Sequence, residues 1–230
     1  MKDRKGFTLS EVLIALGIVG VLAAVTLPTL QANTSRKSIG PAVLKAFSLL
    51  KNSTKLLLTE REAMSIKATC DDYNDYLDCI SPYTGMTKMD NYVHPCKYKS
   101  GNCSATSKFG YYTTKDGMIF WYDDAGGTDN YGIRKFNVPA SLKEDYSGEA
   151  YMILVDINGT AKPNEMGKDV FRFFVDDFGA VLPSGSTTWA EYCGVTGTWL
   201  VNCIDDTTPV DMRHCTGSVI ANGGKIMYKY

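Results

Sequence analysis

No cysteine precedes residue 70 in this chain of 230 residues, and histidine occurs only at positions 94 and 214. A thiolate or imidazole site before residue 70 is thereby excluded. His94 lies two residues before Cys96, and His214 adjoins Cys215, spacings that do not fit the usual zinc ligand pairs. Disulfides with bystander histidines are the favoured reading there, because a Cys–His nucleophile pair needs partners that converge in a cleft. The chain also lacks a basic excess: 24 Lys and Arg stand against 25 Asp and Glu, a net charge of -1. The electrostatic footprint of general nucleic-acid binding is missing. There is no internal repeat and no low-complexity tract. Between Phe7 and Leu30 there is no charge except Glu11. That run lacks a small-residue signal-peptidase site as well, because Leu30 in Leu30-Gln31-Ala32 is too large.

What is present begins with that run. Its 24 residues span ~36 Å as a helix at ~1.5 Å per residue, against a hydrocarbon core of ~30 Å. A secretory signal has a shorter apolar core, roughly 7–15 residues. The leader, residues 1–6, carries Lys2, Arg4 and Lys5 against Asp3 and favours a cytoplasmic N-terminus. Arg36 and Lys37, just beyond the other end, weaken that asymmetry. An ionisable residue at the centre of a membrane helix costs on the order of 2.5–3.5 kcal/mol and marks function. Glu11 sits about one turn inside the run, so its cost is lower. Gly17, Gly20 and Ala24 recur at helical spacing, a small-residue stripe of the kind that lets membrane helices approach closely.

The stretch Lys5-Gly6-Phe7-Thr8-Leu9-Ser10-Glu11 and the apolar run behind it resemble the class III signal of type IV pilins and type II secretion pseudopilins. The resemblance covers about 25 residues closely and the rest in architecture. It implies a prepilin peptidase cut between Gly6 and Phe7, on the cytoplasmic face, and N-methylation of the new Phe7 amine. It also implies that Glu11 neutralises the N-terminal amine of a neighbouring subunit during filament assembly. A buried carboxylate and a buried amine each need a partner in lipid, and they can supply one another. Pro28 falls where many family members kink the helix.

All seven cysteines, Cys70, Cys79, Cys96, Cys103, Cys193, Cys203 and Cys215, follow the membrane segment. A translocated head enters an oxidising space where disulfides persist. Two or three disulfides and at least one unpaired cysteine, reduced or cross-linking subunits, are expected. Connectivity does not follow from sequence; local pairs such as Cys96–Cys103 are preferred. Removal of the leader leaves 21 basic against 24 acidic residues, a charge of -3.

An amphipathic helix follows over residues 31–68. Val43, Phe47, Leu50, Leu57 and Met64 lie on one face, with Lys45, Ser48, Asn52, Lys55, Thr59 and Glu62 opposite. Gly40-Pro41 is expected to bend or break it. Residues 70–108 read as an irregular, cysteine-pinned excursion. Strands are expected at Phe109–Thr114 and Met118–Tyr122 around the turn Lys115-Asp116-Gly117, then at Glu149–Ile157, Val170–Asp176 and Ala180–Leu182. Residues 124–149 read as a long loop, and a last strand is expected at Gly224–Tyr230. The expected fold is α+β and pilin-like: a long N-terminal helix, half membrane-spanning and half amphipathic, packed on an antiparallel sheet of four or five strands in a head spanning residues 69–230.

In the head, the segment from Asp156 to Asp169 places Asp156, Asn158, Asn164 and Asp169 on a tight loop. Calcium takes six to eight oxygen ligands, and some pseudopilins bind it in a head loop, so by resemblance these four are a candidate calcium site; no other cofactor is indicated. The spacing is not that of an EF-hand. The competing reading is a turn whose Asp and Asn bond their own backbone. The acidic doublets at 71–72, 123–124, 176–177 and 205–206 read as exposed turns. The 14 tyrosines read as strand formers, and the sequon-like Asn52-Ser53-Thr54 as chance.

The expectation is a structural subunit and not an enzyme. It inserts in the cytoplasmic membrane with its head outside, is cut after Gly6, and joins other pilin or pseudopilin subunits through the assembly machinery into a surface pilus or a periplasmic pseudopilus. The alternative is a membrane-anchored extracytoplasmic binding module that uses the signal for sorting alone.

Overall fold

A computed structural model describes residues 8–70, 76–90, 92–98, 101–102, 110–123, 133–192 and 212–228, with side chains at all of these except 25–37, 97–102, 133–135 and 191–192. The chain divides into two compact units at Ser38/Ile39. Helix α1, Leu9–Glu60, contributes to both.

Thr8 starts α1. Its hydroxyl accepts from the Glu11 N–H at 3.3 Å, while its own N–H and hydroxyl donate to Glu11 Oε2, each at 2.8 Å. This is a capping box, in which N-cap and third-residue side chains satisfy each other's free backbone donors. In the first unit the apolar side chains have nothing to cover them: Leu9, Leu13, Ile14, Leu16, Val19 and Val21 are all more than half exposed. Among the described residues no helix is long and apolar enough to cross a membrane; the side chains described in this run stop at Ala24.

In the second unit the pattern changes to a stripe. Ile39, Val43, Ala46, Leu50 and Leu57 are buried at three-to-four spacing, the period of a helix with one core face. Ser53 and Thr54 complete that face, their hydroxyls donating to the Leu49 and Leu50 carbonyls. Lys45, Ser48, Asn52, Lys55, Thr59 and Glu62 are exposed. Met64, expected on the core face, is 89 % exposed. The helix has ended by then in a Schellman-type cap, with Ala63 N–H on Leu58 O and Glu62 at φ 50. The expected break at Gly40-Pro41 does not occur, since α1 is helical through both. Glycine and proline together cost about 4 kcal/mol of helix propensity, so packing must offset them.

Among the described residues the sheet has seven antiparallel strands ordered β1-β4-β5-β7-β8-β9, with β6 also on β7. They are β1 Thr87–Met89, β4 Tyr111–Thr113, β5 Ile119–Tyr122, β6 Ile133–Lys135, β7 Glu149–Asp156, β8 Val170–Asp176 and β9 Val181–Pro183. A separate pair joins β2 Lys97–Tyr98 to β3 Gly101–Asn102. The β4–β5 turn is closed by Thr114 N–H to Met118 O at 2.9 Å, with Gly117 at φ 90. In β7 and β8, Ile153 faces Phe173 and Val155 faces Phe171. These side chains, with Phe120 and Tyr122, form the main core with α1. The other sheet face is also buried, through Tyr111, Trp121, Leu154, Met152 and Phe174, so the central strands read as continuous apolar runs.

Several elements depart from the sequence expectation, among them the β2–β3 pair, which lies in the segment read as irregular. Helix α2, Tyr76–Thr84, lies inside the segment read as irregular, tied by Cys70–Cys79. Strand β1 lies in that same segment, and β6 in the segment read as loop. The expected terminal strand is absent among residues 224–228. Helices α3, Thr187–Tyr192, and α4, Thr216–Ala221, shape the tail instead. Gly223 and Gly224 have φ of 60 and 87, a conformation that cannot extend a strand.

Candidate functional site

Two places carry the residues singled out by the sequence, one in each unit. In the first unit, Gly6 and Phe7 lie outside the described residues. Glu11 is described, at the start of an exposed apolar helix and engaged with Thr8 through the capping box. Thr8 was not singled out, although the T-x-x-E spacing signals it. Gly17 and Gly20 are open, with no heavy atom within 4 Å of where a Cβ would sit. A contiguous exposed apolar surface of this kind marks a protein or membrane interaction site.

In the head, the loop after β7 gathers Asp156, Asn158, Asn164 and Asp169. Asp169 accepts from the Asn164 N–H at 2.8 Å, the Glu165 N–H at 2.7 Å and the Asn158 side-chain amide at 3.3 Å. Asp156 accepts from the Asn158 N–H at 3.0 Å. The Asn164 amide, oriented by the acceptors around it, donates to Asp156 Oδ2 at 3.1 Å and to the Gly159 and Ala161 carbonyls. His94 joins them: its Nε2 lies 3.1 Å from Asp156 Oδ2 with both side chains fully buried, and its ring stacks on Trp121 at 4.3 Å. Sequence proximity pointed His94 toward Cys96, whereas the sheet brings it to Asp156, a partner no local spacing reveals.

The electrostatics follow from burial. Desolvation, then the charge of Asp156, pushes the Asp169 carboxyl up to about 6. Burial raises Asp156 too, opposed by His94. The oxygens are turned toward the loop's own N–H groups, and among the described residues no group of three or more His, Cys, Asp or Glu is arranged to hold a metal. The arrangement is that of a loop whose two buried carboxylates, Asp156 and Asp169, accept from the loop's own donors.

The remaining candidates resolve in a similar way. Cys70 pairs with Cys79, and Cys96 and Cys215 are also disulfide-bonded, so neither offers a thiol to its neighbouring histidine. His214 Nδ1 instead lies 2.9 Å from Ser184 Oγ. Cys103, Cys193 and Cys203 lie outside the described residues. The doublet residues Asp123, Asp176 and Asp177, expected in exposed turns, are buried. Each has a donor that makes burial tolerable: Arg172 at 2.5 Å for Asp123, Ser147 Oγ for Asp176 and the Lys67 N–H for Asp177.

The model of the prokaryotic N-terminal methylation motif matches residues 1–27. The N-terminus thus carries a prepilin-type methylation motif. The chain is similar to a fimbrial protein of Pseudomonas aeruginosa, 27% identical over 63% of this chain and 83% of the relative. A fimbrial protein of Neisseria meningitidis serogroup A is 51% identical over 36% of this chain and 52% of its own length. A type IV major pilin protein of Neisseria gonorrhoeae is 51% identical over 19% of this chain and 26% of its own. The chain thus spans about half of the second relative and about a quarter of the third. No solved structure matches. The prepilin-type start and the helix-on-antiparallel-sheet head together form a pilin-like α+β fold.

Proposed function

We propose that this chain is a prepilin-type structural subunit. A prepilin peptidase removes residues 1–6, Phe7 becomes the N-methylated terminus, and the mature chain leaves the cytoplasmic membrane, head outermost, to enter a filament. The carrying observation is the methylation motif over residues 1–27 on a helix whose apolar side chains are exposed around one carboxylate, Glu11. Such a surface needs lipid first and other copies of the helix later. Fimbrial relatives favour a surface pilus over a secretion pseudopilus.

N-terminal mass spectrometry of the cell-associated protein tests this reading. The expected mature terminus is methylated Phe7, and Gly6→Val is expected to leave the leader attached. A mature terminus elsewhere removes the basis of the proposal. Immunogold labelling along filaments separates a subunit from an anchored binding module, which would label the envelope alone. Calcium at Asp156, Asn158, Asn164 and Asp169 is tested by melting with and without chelator; no shift is expected from a loop that satisfies its own carboxylates.

A further inference from the structure

The C-terminal segment, residues 212–228, meets α1 at its weakest point. Glycine and proline are the two poorest helix formers, and Pro41 cannot donate a helical hydrogen bond. At this place Gly40 approaches Gly224 so closely that a Cβ on residue 40 would lie 1.5 Å from the Gly224 carbonyl oxygen. A Cβ on residue 224 would lie 3.0 Å from the Gly40 carbonyl carbon and 3.1 Å from Leu44 Cδ1. The contact requires glycine on both sides. Gly224 is seated by its own fold, at φ 87 with its N–H on Val219 O at 2.8 Å. The segment is fastened at both ends. Cys215 is buried and disulfide-bonded. Tyr228 is buried, with its hydroxyl donating to Gly167 O at 2.5 Å, and Ile226 packs on the core beside it.

We propose that residues 212–228 are a helix clamp: by seating Gly224 on Gly40 they hold α1 helical through Gly40-Pro41, and lifting them lets the helix open there. The clamp accounts for the missing break, and it gives a reason for glycine at both 40 and 224. It does not depend on whether the chain enters a filament.

Amide hydrogen exchange on the full chain in detergent tests the clamp. Gly224→Val, strained at positive φ and crowded against Gly40, is expected to free residues 222–228 and to raise exchange over residues 38–45 by about ten-fold, as a local opening does. Strands β7 and β8 should stay protected. Adding Pro41→Ala should return residues 38–45 to native protection although the clamp stays lifted. Gly40→Ala gives an opposing test. Alanine is the better helix former, so propensity alone predicts stronger protection at 38–45, whereas the clamp predicts weaker, because the new Cβ expels Gly224. Native protection at 38–45 with residues 222–228 freed, an undisturbed 222–228 in Gly224→Val, or loss of protection spread through β7 and β8 overturns the proposal.

Discussion

The two stretches of α1 that lie in different units solve opposite problems with one backbone conformation. Residues 8–24 are apolar on every side and nearly all exposed, whereas residues 39–60 are apolar on one stripe, and that stripe is buried. The second half is complete within its own chain. Burying a side chain such as Leu50 contributes about 1.5–3 kcal/mol, and the sheet provides the surface to bury it against. Among the described residues the first half has no such surface, and it is the half that the proposed function assigns to lipid and to further copies of the same helix. The difference separates residues that stabilise the chain from residues left free for the proposed association.

The sharpest break of that comparison is at Glu11. Glu11→Ala is expected to abolish incorporation into sheared filaments while leaving the head's melting temperature unchanged. Glu11→Gln sharpens the result, because it keeps an oxygen for the Thr8 capping bonds but removes the charge; normal assembly by that variant would show that the cap, and not the carboxylate, is what matters. Core truncation should do the reverse. Phe173→Ala, fully buried and stacked on Phe47 at 6.3 Å, is expected to lower urea stability by about 3–5 kcal/mol. Leu13→Ala on the exposed half should change it by no more than about 0.5 kcal/mol. A smaller loss is expected from Thr54→Val, which leaves the buried Tyr76 hydroxyl without its 2.7 Å partner and costs roughly 1 kcal/mol in thermal melts.

A pH-dependent effect is confined to the head. The folded Asp169 carboxyl titrates near 6 instead of 3.8, so the folded state takes up its proton first as pH falls. The stabilisation is fully present below 3.8 and lost as pH rises through about 6. Burial moves Asp156 and Asp177 in the same direction. The head should therefore melt higher at pH 5 than at pH 7, with the slope reduced in Asp169→Asn. A melting temperature that falls over that interval would contradict the assigned burial.

Legibility followed the range of the interactions. The stripe from Val43 to Leu57, the runs that became β7 and β8, and the turn at Gly117 are local patterns, and each lies where its pattern placed it. Helix α2 carries a proline and few periodic positions, so only Cys70–Cys79 and the stacking of Tyr76 on Tyr151 at 5.2 Å reveal why it forms. Strands β1 and β6 have three residues each, too short for alternation to register. The strand expected from Gly224 onward is replaced by a turn with Gly223 and Gly224 at positive φ. In the candidate loop, Asp156, Asn158, Asn164 and Asp169 were legible as a group. His94 was not, because its bond to Asp156 joins residues far apart in the sequence.

The sequence by itself determined the motif at residues 1–27: basic residues, a glycine followed by an aromatic and one carboxylate in an apolar run are read within a few residues of each other, so no fold is needed to see them. Tertiary structure alone decided what the polar residues of the head do and whether α1 survives Gly40-Pro41. Those outcomes depend on groups distant in the chain, His94 on Asp156 and Gly224 on Gly40. A buried hydrogen bond or a backbone contact is worth what its surroundings exclude, and those surroundings exist only once the sheet has formed.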